Sequence, residues 1–247
     1  MTVSEEAVEI PTLDGAAEGF LYVDDEKRGP GVLFLTDIGG IRPSQREMAA
    51  RVAGAGYTVL LPNMFYRTHR VPLFEGPVNF ADEATRRKFG ELRTALPSAA
   101  IERDAAGYAG FLAARSRSPE APIGVIGLCF AGAVAVRIAA AVPERVAAVA
   151  SFHAARLITD APDSPHLLLP RIRARLYFGH AVEDAGMPPE AIAKFEEALA
   201  AWGGRYESEI YDGAHHGWTV SDSPVYNHPQ AERAFRKLTQ LLSETLR

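Results

Sequence analysis

Residues 121–136 form the longest stretch without a charge, and four breaks inside it, Pro122, Gly124, Gly127 and Gly132, say most about what the chain can become. Sixteen residues so interrupted are too short for a membrane span, which needs about 20 apolar residues. They fit a buried strand, 123–126, that turns straight into an alanine-rich helix, 129–141, stopped by Pro143. The turn reads Gly127-Leu128-Cys129-Phe130-Ala131-Gly132. A strand-to-helix turn this tight strains the backbone of its central residue and requires tiny residues two positions away on either side. Gly127 and Ala131 meet that requirement, and Gly132 lets the helix pack close. The side chain at 129 is then lifted above the sheet at a helix N-terminus, where the macrodipole and free amides stabilise a thiolate or an oxyanion.

The same alternation runs through the rest of the chain. Apolar runs at 31–36, 57–61, 146–152 and 175–178 read as strands, 206–211 alternates like a strand, and 43–54 and 190–201 read as helices. A last helix begins after Asn227 and carries Ala231, Ala234, Phe235, Leu238, Leu241, Leu242 and Leu246 as a 3.6-residue stripe. Residues 19–23, before Asp24 and Asp25, alternate weakly, as an antiparallel strand leading into the sheet would. Near-continuous apolar strands alternating with helices predict an α/β fold: a mostly parallel central sheet with helices on both faces. Without internal repeats or a low-complexity linker, residues 1–247 are expected to form one domain. Its one long irregular excursion, at about 63–94, is either a surface detour or a cap shaping a substrate site.

Composition narrows the function classes. A single cysteine among 247 residues excludes an intrachain disulfide and a cysteine-rich zinc site, leaving either a small buried hydrophobe or a chemically used thiol. With 26 Lys and Arg against 31 Asp and Glu, the formal charge of −5 speaks against nucleic acid and polybasic membrane partners. The acidic first residues lack the basic and apolar regions of a signal peptide, so the chain is expected to be cytoplasmic.

A nucleophile needs a base, and the base needs an orienting group. On a doubly wound sheet these follow in the order nucleophile, acid, histidine, from loops at the carboxyl ends of later strands. After 175–178 comes a loop with the acids Glu183 and Asp184; after 206–211 comes a loop with His215 and His216. His153 and His180 stand at strand ends on the same edge, as ordinary histidines or substrate contacts.

The elbow hexapeptide, Asp184-x-x-Met187-Pro188 and Tyr211-Asp-Gly-Ala-His-His-Gly-Trp218 together resemble the dienelactone hydrolase family of α/β-hydrolases. The likeness extends to Thr36-Asp-Ile-Gly-Gly-Ile-Arg-Pro43, to Leu61-Pro-Asn-Met-Phe-Tyr-Arg67 and to Ser151-Phe-His153, covering about residues 10 to 245. It implies an α/β-hydrolase fold and hydrolysis of a small ester or lactone, with Cys129 as nucleophile, Asp184 as triad acid and His216 as base. His215 is the rival base and Glu183 the rival acid. The backbone N–H groups of Phe130 and Ile38 would form the oxyanion hole. Asp37 occupies the place of an acid that helps control the thiol's ionisation in dienelactone hydrolases, or else it caps the helix that begins near Arg42. No arginine follows His216 where the family binds a substrate carboxylate, leaving Arg67, Arg70, Arg86 or Arg87 to supply that charge.

The expected reaction passes through an acyl-thioenzyme and needs no metal or organic cofactor. Its partner is a small-molecule substrate, and the protein a monomer or small homo-oligomer. Two rivals stand beside it: a peroxide-reactive or redox thiol, which here lacks a resolving cysteine, and a non-catalytic binding protein on the hydrolase scaffold.

Overall fold

A computed structural model of the chain describes residues 3–24, 28–76, 78–79 and 81–246. Asp25 and Pro77, which fall within the segments discussed above, lie outside the described residues. The elements in chain order are β1 (Val3–Thr12), β2 (Gly15–Asp24), β3 (Gly31–Leu35), α1 (Pro43–Gly54), β4 (Thr58–Pro62), α2 (Glu83–Ala95) and α3 (Ser98–Arg115). There follow β5 (Ile123–Leu128), α4 (Phe130–Ala141), β6 (Val146–Phe152), a 3-10 turn (Pro165–Arg171), β7 (Arg175–His180), α5 (Pro189–Trp202), β8 (Tyr206–Ile210) and α6 (His228–Thr245).

All eight strands join one sheet in the order β1-β2-β4-β3-β5-β6-β7-β8. The β1–β2 and β2–β4 pairs are antiparallel and the other pairs parallel. The parallel strands β3 to β7 are largely apolar because each buries both faces, whereas β8, at the edge, carries Glu207 and Glu209 and is only half-buried. Leu33, Leu35, Val125, Val149 and Phe178 pack with α3, α4 and α5, whereas Val32, Phe34, Ile126, Leu128 and Phe152 pack with α1 and α6. In β2, the weak alternation at 19–23 is part of a longer strand, paired on both sides.

Two elements were not legible in the pattern. β1 is an edge strand whose glutamates Glu5, Glu6 and Glu9 are exposed along with Ala7, and its buried apolar side chains are Val8 and Ile10. Charge on an edge strand discourages pairing with another chain, and it also erases the apolar signature. α3 contains Gly107, where a Cβ would come within 2.7 Å of the Pro11 carbonyl oxygen. The glycine lets the helix lie against the β1–β2 hairpin while depressing its helical propensity.

The 63–94 excursion divides into turns and α2, the latter capped by the Asp82 carboxylate accepting the Thr85 N–H at 2.8 Å. Arg67 anchors it to α3 and to the β1–β2 turn, with Asp104 and Asp14 each at 2.7 Å. Leu73 packs on Gly40 in the loop after β3, and the Phe65 ring lies 5.9 Å from that of Phe130.

Candidate active site

Cys129 stands between β5 and α4 with φ 57° and ψ −130°. This positive φ is sterically costly for a side chain-bearing residue and persists only where neighbours enforce it. The enforcement is visible at Gly127, where a Cβ would lie 2.1 Å from the carbonyl oxygen of Ala131. No larger residue fits there without opening the turn. Cys129 is partly exposed, at the N-terminus of α4.

From β7, Asp184 presents a nearly buried carboxylate. Its Oδ1 accepts the Gly186 N–H at 2.7 Å, and its Oδ2 lies 2.7 Å from His216 Nδ1. Burial pulls the basicity of His216 down, but the Asp184 carboxylate and the Cys129 sulfur, each accepting from the imidazolium, outweigh it and raise its pKa to about 10. The structure therefore gathers Cys129, His216 and Asp184 from three separate loops at one sheet edge. The alternatives lie elsewhere: His215 and Glu183 have half or more of their side chains in solvent and face each other at 3.9 Å.

Ile38 sits buried in the loop after β3. Among the described residues, neither its amide nor that of Phe130 donates to a protein acceptor outside the regular elements.

Asp37 does not cap α1. Its two oxygens receive Arg42 Nη1 and Nη2 at 2.7 and 2.8 Å, Gln45 Nε2 at 3.0 Å and the Gly39 N–H at 2.8 Å. It makes no bond to the amides of the first turn of α1. Arg42, nearly buried, also reaches Asp222 through Nε at 2.8 Å and Nη2 at 3.1 Å. One guanidinium thereby ties the Ile38 loop to the loop that carries His216. Sequence reasoning passed over Arg42 and Asp222 because 180 residues separate them; only the sheet order brings them together.

His153 was equally underrated. Fully buried, it accepts the Cys129 N–H on Nδ1 at 3.1 Å, and its Nε2 lies 2.8 Å from Thr219 Oγ1. Its ring meets those of His216 and Trp218 edge-on, at 5.2 and 5.0 Å. Burial and the neighbouring His216 hold its pKa well below the usual histidine value, so it stays neutral. His180 is also buried, with Nε2 3.1 Å from Ser208 Oγ and a pKa pushed down to about 4 by burial. Of the arginines, Arg67 is bound to Asp14 and Asp104, Arg70 faces Glu18 at 3.8 Å, and Arg86 and Arg87 are exposed on α2.

No group of three or more metal-ligating side chains occurs among the described residues, and no helix there is long and apolar enough to cross a membrane.

A mostly parallel sheet flanked by helices, with a cysteine raised on the turn between its fifth strand and the next helix, defines an α/β-hydrolase. A crystal structure of a Klebsiella pneumoniae protein provisionally named a dienelactone hydrolase shares this fold, with a TM-score of 0.86 at 17% identity over 98% of this chain and 99% of the other. Residues 17–246 match the profile of the dienelactone hydrolase family, and the chain belongs to that family. Its relatives include the carboxymethylenebutenolidase of Rhodococcus opacus, 30% identical over 85% of this chain and 78% of that protein. A Synechocystis protein provisionally given the same name is 29% identical over 88% of this chain and 87% of its own length. The chain is a lactone or ester hydrolase acting on small molecules.

Proposed function

We propose that the protein hydrolyses its ester or lactone through an acyl-thioenzyme formed on Cys129, with His216 as the proton carrier and Asp184 orienting it. The observation that supports this most directly is the 2.7 Å Asp184–His216 bond beside a cysteine held at positive φ. Asp184 on Nδ1 leaves the other ring nitrogen of His216 to hold the proton of Cys129, and the deprotonated sulfur attacks the carbonyl carbon. The carbonyl oxygen becomes an oxyanion between the Phe130 and Ile38 amides, each such donor being worth about 10²–10³ in turnover. Collapse breaks the carbon–oxygen bond, and His216 hands its proton to the departing alkoxide. Water, deprotonated by His216, then cleaves the thioester and returns the acid and the free thiol.

The test is incubation of the wild type, Cys129→Ala and His216→Ala with a panel of activated esters and lactones, followed by intact mass. Turnover with an acyl adduct on the wild type, and activity reduced on the order of 10⁴-fold in either variant, is the expected result. A wild type that neither turns over nor acylates would sink the mechanism. Full activity in both variants would sink the residue assignment.

A further inference from the structure

Beside the candidate oxyanion loop lies a cleft of about 780 Å³, within the range of small-molecule sites. Three segments tied to the chemistry wall it: Gly39, next to Ile38; Ser221 and Asp222, on the His216 loop; and Val71, Pro72 and Phe74 of the excursion, which rests on the oxyanion loop through Leu73 and Gly40. Phe20 and Ile41 complete an apolar lining.

The charges around it are arranged against an anion. Two arginines line the cleft with three carboxylates, Glu47, Glu75 and Asp222. Arg42 has its donors on Asp37, Asp222 and the Gly40 carbonyl. Arg46 binds Glu5 and covers the Phe20 ring at 4.7 Å. Lys88, which sits over Phe74 at 4.6 Å and donates to the Leu73 carbonyl, does not line the cleft. No guanidinium is thus left to fork a carboxylate, and the surplus acids repel one.

We infer that this cleft seats an uncharged, apolar arm of the substrate, so that the enzyme prefers neutral esters with an alkyl or aryl acyl group over esters carrying a carboxylate. The inference rests on the hydrolase mechanism proposed above. Each methylene buried there should raise kcat/KM by roughly fourfold, until the cleft is filled.

The experiment compares p-nitrophenyl acetate, hexanoate and hemiglutarate, the last two being of similar length and differing in terminal charge. The expected result is a kcat/KM for hexanoate at least tenfold above that for hemiglutarate. Phe74→Ala should reduce the hexanoate-to-acetate ratio several-fold. Glu75→Lys, on an exposed side chain, should raise the hemiglutarate-to-acetate ratio in a salt-sensitive way, and it decides the matter if Phe74→Ala lowers the melting temperature. Hemiglutarate cleaved as well as hexanoate overturns the inference, as does an unchanged hexanoate-to-acetate ratio in a well-folded Phe74→Ala. In both cases Cys129-dependent hydrolysis still stands. Equal turnover of all three esters by wild type and Cys129→Ala overturns the hydrolase mechanism instead.

Discussion

His216 is unusually basic for a histidine because its two neighbours, Asp184 and the Cys129 sulfur, both favour the imidazolium over the opposing effect of burial. A pKa raised from about 6.5 to about 10 contributes stability in full below pH 6.5 and loses it as pH climbs through 10. In the proposed mechanism the imidazolium is also the proton donor to an alkoxide leaving group. For an alkyl ester, kcat/KM should therefore fall as pH passes about 10, and Asp184→Asn should move that descending limb to lower pH. A pH–rate profile corrected for background hydrolysis checks both, and an unmoved limb in Asp184→Asn would show that the carboxylate does not govern the base. At this scale the sequence was informative where a residue type is rare: one cysteine, in a hexapeptide of small residues, marked its own position. It was mute about His153, since nothing local distinguishes a histidine that will accept the nucleophile's amide from one that fills a core.

Among elements, the elbow and the loops after β3, β7 and β8 do the positioning, and Arg42 joins two of them. Asp37 and Arg42 are both nearly buried, with 8% and 10% of their side chains exposed, so removing the cation strands a carboxylate out of water. Arg42→Met is expected to cost about 3–5 kcal/mol of stability, read as a shift in the urea midpoint. Asp222 keeps 42% of its side chain in solvent, and Asp222→Asn should cost no more than about 1 kcal/mol. Equal losses would mean that the two ion pairs share one environment. The boundaries of α1 were readable because Pro43 starts it and the Gly54-Ala55-Gly56 segment ends it, and α6 because Asn227 accepts the Gln230 N–H at its first turn. α3 was not, because the glycine that admits the β1–β2 hairpin lowers the propensity a sequence reader relies on.

At the scale of the molecule, one sheet carries the eight strands of the described residues, and its two faces bury separate apolar clusters that share the strands β3 to β7. Neither cluster can be opened without stripping one face of those strands. Unfolding in urea should accordingly show coincident midpoints by far-UV circular dichroism and by fluorescence of Trp202 and Trp218, which sit in the two different clusters. Separated midpoints would divide the chain into two units. The sequence by itself determined the mostly parallel α/β architecture and the succession of Cys129, Asp184 and His216 on loops after later strands, because apolar periodicity and turn chemistry are local and survive in one dimension. Only the tertiary structure decided which of two adjacent histidines and acids meet, that Asp37 answers to Arg42 rather than to a helix cap, and that the cleft beside the site has no unpaired arginine. Those outcomes depend on which loops the strand order brings to the same edge, and on charges whose partners lie up to 180 residues away.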